Sequence, residues 1–123
     1  MNKTLLTLIA AGASLAFASS AFAAGDPVRG KAKAEQVCTA CHATGGDWNK
    51  PLQPEYPKLA GQHADYLVTA LNEYKQGDKS MIGRKNPIMA GQAAALTANE
   101  IQDLAAFFSG LPGQLFVKHH TQK

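Results

Sequence analysis

A chain of 123 residues, 46% of them hydrophobic, is long enough for one small domain once a targeting segment is set aside. Its two cysteines fall in one short motif, which leaves no pair for a disulfide framework. The net charge of +3 says little about partners and does not point to nucleic acid.

Residues 1–23 read as a cleaved signal peptide: Lys3 gives a positive start, Leu5 to Ala18 an apolar run, and Ala21-Phe22-Ala23 a small-x-small cleavage site. The apolar run is short for a membrane span, an uncleaved signal anchor being the alternative. Residues 24–123 are then one exported domain, expected in the periplasm with no stable membrane insertion. Losing Lys3 lowers the formal charge to +2.

Asp26-Pro27 supplies a helix cap and a proline at the first helical position, and helix formers continue to Val37. Gly30 and Ala34, four apart, form a small-residue notch able to admit another helix or an aromatic ring. Next comes Cys38-Thr39-Ala40-Cys41-His42. A C-x-x-C-H run reads as a c-type haem attachment site, because residues at i, i+3 and i+4 share one helical face and can meet one flat macrocycle. The two sulfurs would form thioethers and the imidazole of His42 would reach the iron. A thioredoxin-like dithiol needs a βαβ setting, and no convincing strand pattern is present. A structural zinc needs a second ligand pair, which His63, His119 and His120 do not supply. A disulfide between cysteines three apart would close almost no loop.

From Ala43 to Pro57 the chain carries three prolines and two glycines without periodicity, which is a loop. Pro51 or Pro54 is expected to offer a carbonyl to the second nitrogen of His42, fixing its tautomer. Trp48 and Tyr56 are candidates for shielding a haem edge or bonding a propionate, with plain core packing as the alternative. Gly61-Gln62-His63 leads into a second helix over residues 64–76, with Leu67, Val68, Leu71 and Tyr74 on one side and Gly77 as its stop. His63, at its exposed start, is a solvated or capping residue.

Asp78 to Leu96 reads as irregular. It holds the remaining methionines, Met81 and Met89, either of which would give haem iron a soft neutral ligand and raise its potential. Pro87 before Met89 favours that residue, whereas Met81 follows a flexible Gly-Asp-Lys-Ser run. Arg84 and Lys85 read as solvated charges, with propionate pairing as the alternative. Thr97-Ala98-Asn99-Glu100 is a capping box opening a third helix with Ile101, Leu104, Ala105 and Phe108 at helical spacing, ended by Gly110 and Pro112. Phe107 or Phe108 would enter the Gly30/Ala34 notch. The tail, residues 113–123, is polar and basic apart from Leu115-Phe116-Val117 and is expected to fray; its His119-His120 pair has no assigned role.

In these residues the chain resembles a class I c-type cytochrome, similar to a single domain of the cytochrome c4 and c553 group. The segments that carry the likeness are Cys38 to His42, Tyr56-Pro57-Lys58-Leu59-Ala60-Gly61-Gln62, Arg84-Lys85-Asn86-Pro87-Ile88-Met89-Ala90-Gly91, and Ile101-Gln102-Asp103-Leu104-Ala105-Ala106-Phe107-Phe108. The resemblance implies an all-α fold of three main helices around one covalently attached haem. It implies haem c on Cys38 and Cys41, with His42 and Met89 as axial ligands. Cytochrome c4 proper carries two such domains, so with one C-x-x-C-H two-haem sharing within the chain is not expected.

The function expected from this reading is one-electron transport between Fe(II) and Fe(III), not enzymatic turnover. Its partners would be periplasmic or membrane redox proteins, a reductase and an oxidase, met as a monomer and steered weakly by Lys31, Lys33, Lys50 and Lys58. The alternatives are the haem subunit of a periplasmic dehydrogenase complex and a ligand-binding haem protein with an open sixth site.

Overall fold

The computed structural model describes residues 25–79 and 81–114; the expected signal peptide and most of the tail lie outside them. Five helices follow in order: α1 Pro27–Val37, α2 Thr39–His42, α3 Ala64–Gln76, α4 Pro87–Ala94 and α5 Ala98–Ser109. A 3-10 turn, Gly77–Lys79, extends α3. Among the described residues there is no strand, only an isolated bridge between Thr44 and Asp47. The three long helices are those that the caps and the spacing of apolar residues anticipate. Helix α4 is not: its segment, Pro87-Ile88-Met89-Ala90-Gly91-Gln92-Ala93-Ala94, has no amphipathic stripe to announce it. A cap decides the matter instead, for the Asn86 side chain accepts from the Met89 N–H and Pro87 takes the first helical position.

Helices α1 and α5 cross at the notch. A Cβ added to Gly30 would lie 2.0 Å from the Asp103 carbonyl oxygen and 2.9 Å from the Phe107 Cβ, so only glycine permits this approach. The crossing is also tied by charge. Arg29 Nε donates to Asp103 Oδ2 at 2.8 Å and Nη2 to Oδ1 at 3.0 Å, while the Asp26 N–H donates to Oδ1 at 2.6 Å. Asp103 is buried, a placement its carboxylate tolerates because these donors replace water. Further along, Lys33 pairs with Glu100 at 2.6 Å, and Glu100 completes the capping box with Thr97.

The core gathers Ala34, Leu67, Leu96, Ile101, Leu104, Ala105, Phe107 and Phe108, with Cys38, Trp48, Leu59, Val68, Leu71 and Leu111 packed around it. Trp48 meets Phe107 and Phe108 edge-on, centroids 5.8 and 5.0 Å apart, a favourable geometry for the ring quadrupoles. It packs from that side against the core. The last described residues are held against the loop before α3. Asn49 Nδ2 donates to the Pro112 carbonyl at 3.1 Å, and the Gln114 N–H donates to Asn49 Oδ1 at 3.1 Å. Gly113 and Gly61 pack backbone to backbone, and Gly61, at φ +73°, suits glycine on both counts.

Candidate functional site

Cys38 caps the end of α1, its N–H donating to the Ala34 carbonyl at 2.8 Å, and α2 then makes one more turn, with the His42 N–H donating to the Cys38 carbonyl at 3.0 Å. That turn places Cys38, Cys41 and His42 on one face, as the spacing requires. The two thiols are not joined to each other. Cys38 packs on the apolar core, and burial, with a smaller contribution from nearby Cys41, pushes its thiol up to about 11, while Lys33 acts weakly the other way. Its sulfur thus sits as a neutral, apolar group.

His42 is buried, 6% exposed. Its Nδ1 lies 2.9 Å from the Pro57 carbonyl oxygen. A carbonyl only accepts, so Nδ1 carries the proton and the Nε2 lone pair is left for a metal. The proline that does this is neither Pro51 nor Pro54. The Leu52 N–H donates to the Cys41 carbonyl at 3.0 Å, which commits the early part of the loop to the motif's own backbone. The chain reaches the imidazole on its return, where Tyr56 also approaches at 6.1 Å between ring centroids. The signal was available: Pro57 belongs to the Tyr56 to Gln62 run that carries the family likeness, whereas Pro51 and Pro54 do not.

The two methionines part clearly. Met81 is fully exposed. Met89 is half-buried in the first turn of α4, its N–H donating to Asn86 Oδ1 at 3.0 Å. Asn86 is thus a site-building residue that motif reading overlooked, although an Asn directly before Pro in a turn is a recognisable cap. Helix α4 packs on α3, whose Val68 and Leu71 are half-buried. Arg84 is not a free solvated charge: Nε donates to Glu73 Oε2 at 2.7 Å. Lys85 is exposed. His63 stands at the N-cap of α3, exposed, with no capping bond from its side chain.

This donor set suits a haem held by two thioethers and one imidazole. It offers two unpaired sulfurs on one helical face, a buried imidazole locked in the tautomer that presents Nε2, a half-buried thioether on a capped turn, and apolar side chains on α3 to meet a flat macrocycle. No helix among the described residues is long and apolar enough to cross a membrane.

A family model described as Cytochrome c matches residues 27–112. Cytochrome c4 of Thiocapsa roseopersicina is 44% identical over 88 residues, covering 72% of this chain and 41% of that protein. Cytochrome c-554(548) of Halomonas halodenitrificans is 37% identical over 86 residues, 70% of this chain and 96% of its own length. The crystal structure of reduced recombinant cytochrome c4 from Pseudomonas stutzeri superposes with a TM-score of 0.65 at 38% identity, covering 75% of this chain and 48% of that one. The chain spans about half the length, or somewhat less, of the cytochrome c4 relatives it matches.

Proposed function

The chain belongs to the cytochrome c family, among the class I cytochromes of the c4 group, and from that premise we propose that it is a soluble periplasmic carrier of single electrons. The family binds haem c covalently; when bound, haem c supplies the Fe(II)/Fe(III) couple, and the polypeptide supplies attachment, ligation and insulation. Cys38 and Cys41 are the attachment residues, His42 the proximal ligand and Met89 the distal one.

The observation that carries this reading is the bond between His42 Nδ1 and the Pro57 carbonyl at 2.9 Å. It orients the ring, leaves Nε2 as the ligating atom and raises its basicity. Met89 is preferred to Met81 because a ligand must be held at one point. The first is fixed by Asn86 and half-buried, and the second is fully exposed. Holding the iron between them, His42 and Met89 would leave it no site for oxygen or peroxide, so the chain would exchange electrons without turning over a substrate. Residues 1–23, as a cleaved signal, put it in the periplasm, where its partners are redox proteins that it meets as a monomer.

The test is the visible spectrum of the exported holoprotein, oxidised and reduced, beside that of Met89→Ala. A low-spin spectrum with the weak far-red band of iron–sulfur ligation, absent from the variant, is expected. A high-spin wild type, or carbon monoxide binding to the reduced protein at neutral pH, would instead favour an open-site haem protein.

A further inference from the structure

Between Gly83 and Met89 the side chains of Lys85, Asn86, Pro87 and Ile88 are exposed; Arg84 turns inward. Its guanidinium is held by α3 from three directions. Nε donates to Glu73 Oε2 at 2.7 Å, Nη1 donates to the Tyr66 hydroxyl at 3.3 Å, and the central carbon lies 5.3 Å from the Tyr66 ring centroid and 5.5 Å from that of Tyr74. The Arg84 N–H adds a backbone bond to the Glu73 carbonyl at 3.1 Å. One residue earlier, Gly83 lies against Gly77, where a Cβ would come within 2.0 Å of the Gly77 oxygen. The chain is therefore fastened to the end of α3 five residues before the thioether, and Asn86 caps the turn in between.

A planar cation between two aromatic rings and bonded to a carboxylate combines ring attraction with a charge-assisted hydrogen bond. Both side chains of the ion pair are about two-thirds covered, at 33% and 27% exposure, so solvent screens the pair less than an exposed one.

We propose that Arg84 and Glu73 form a latch that holds the Met89 segment on α3 and so governs how firmly the Met89 sulfur stays on the iron. They are positioning residues acting through Met89, and the proposal rests on the His42/Met89 reading above. A segment that swings away exposes the iron to outside ligands; one held closed keeps them out. Losing the latch should raise the open fraction about tenfold, equivalent to about 1.4 kcal/mol.

The experiment uses ferric holoprotein as wild type, Arg84→Ala, Arg84→Lys, Glu73→Gln and the double variant Arg84→Ala/Glu73→Gln. Three readouts are taken: the rate of imidazole binding to the iron, the far-red band on warming, and helix content by far-ultraviolet circular dichroism. The expected result is imidazole binding about tenfold faster in Arg84→Ala, with the far-red band fading at temperatures where helix content is still intact. Glu73→Gln should move the same way, and the double variant should exceed Arg84→Ala little, since each partner works through the other. Arg84→Lys should fall between, keeping the charge and losing the planar fork. If Arg84→Ala does not fold, the Lys and Gln variants carry the comparison alone. Wild-type binding rates and a wild-type band in the folded variants would overturn the latch. A wild type without the far-red band, or a Met89→Ala variant that keeps it, would instead overturn the ligand assignment beneath it.

Discussion

A single buried carboxylate illustrates how much one side chain can carry. Asp103 sits at the α1–α5 crossing, and its hydrogen bonds from Arg29, ahead of that from the Asp26 backbone, hold its carboxyl below the usual range against the opposing effect of burial. Glu100, bonded first by Lys33 and then by the Thr97 N–H, is lowered to about 2. Both are depressed in the folded state, so each contributes stability that is present above the unfolded value, about 4, and lost as pH falls through the folded one. Stability should therefore drop between about pH 4.5 and 2. Asp103→Asn should reduce that acid limb and cost about 1–3 kcal/mol near neutrality, since the amide keeps one acceptor oxygen but loses the charge and turns an NH2 toward an Arg29 donor. Urea unfolding at a series of pH values checks it, and an unchanged acid limb would contradict it. His42 repeats the lesson, since one backbone carbonyl selects which nitrogen can ligate.

At the scale of elements, the helix crossing rests on what is missing from Gly30. Gly30→Ala should stabilise α1 slightly by propensity, yet its methyl would fall 2.0 Å from the Asp103 carbonyl oxygen, and backbone cannot step aside cheaply. Overpacking wins, and a loss of about 1–3 kcal/mol is expected, measured as a lower denaturant midpoint with an unchanged slope. Helices α1, α3 and α5 were legible because Asp26, the Leu67/Val68/Leu71 stripe and the Thr97–Glu100 box are local signals. Helix α4 was not, because its residues bear no stripe and its existence turns on one Asn cap and on packing against α3.

For the whole molecule, the largest buried side chains among the described residues cluster on α5, with Ile101, Leu104, Phe107 and Phe108, a small core as a domain of this size allows. Much of the stability should then come with the haem, which would stay tethered to the unfolded chain by its thioethers but bury its apolar faces only in the folded one. Replacing both attachment residues, Cys38→Ser with Cys41→Ser, should lower the thermal midpoint by more than about 10 °C and reduce helix content in circular dichroism. An equally stable haem-free protein would argue otherwise. The surface shows a similar economy: Lys31, Lys33, Lys50 and Lys58 each have a partner within the chain, in Glu35, Glu100, Asp47 and Gln114.

The sequence by itself determined the helical class, the three long helices, the small notch at Gly30 and the Cys38/Cys41/His42 face, because each depends on spacing along one or two turns. Tertiary structure alone decided that Asp103 is buried and that Arg84 belongs to Glu73; it also settled the Pro57 carbonyl at His42 and the Asn86 cap of α4, for which the sequence held only faint local signals. Those choices depend on how a loop without periodicity closes on distant elements, and such closure is set by the packing of the whole chain rather than by any local preference.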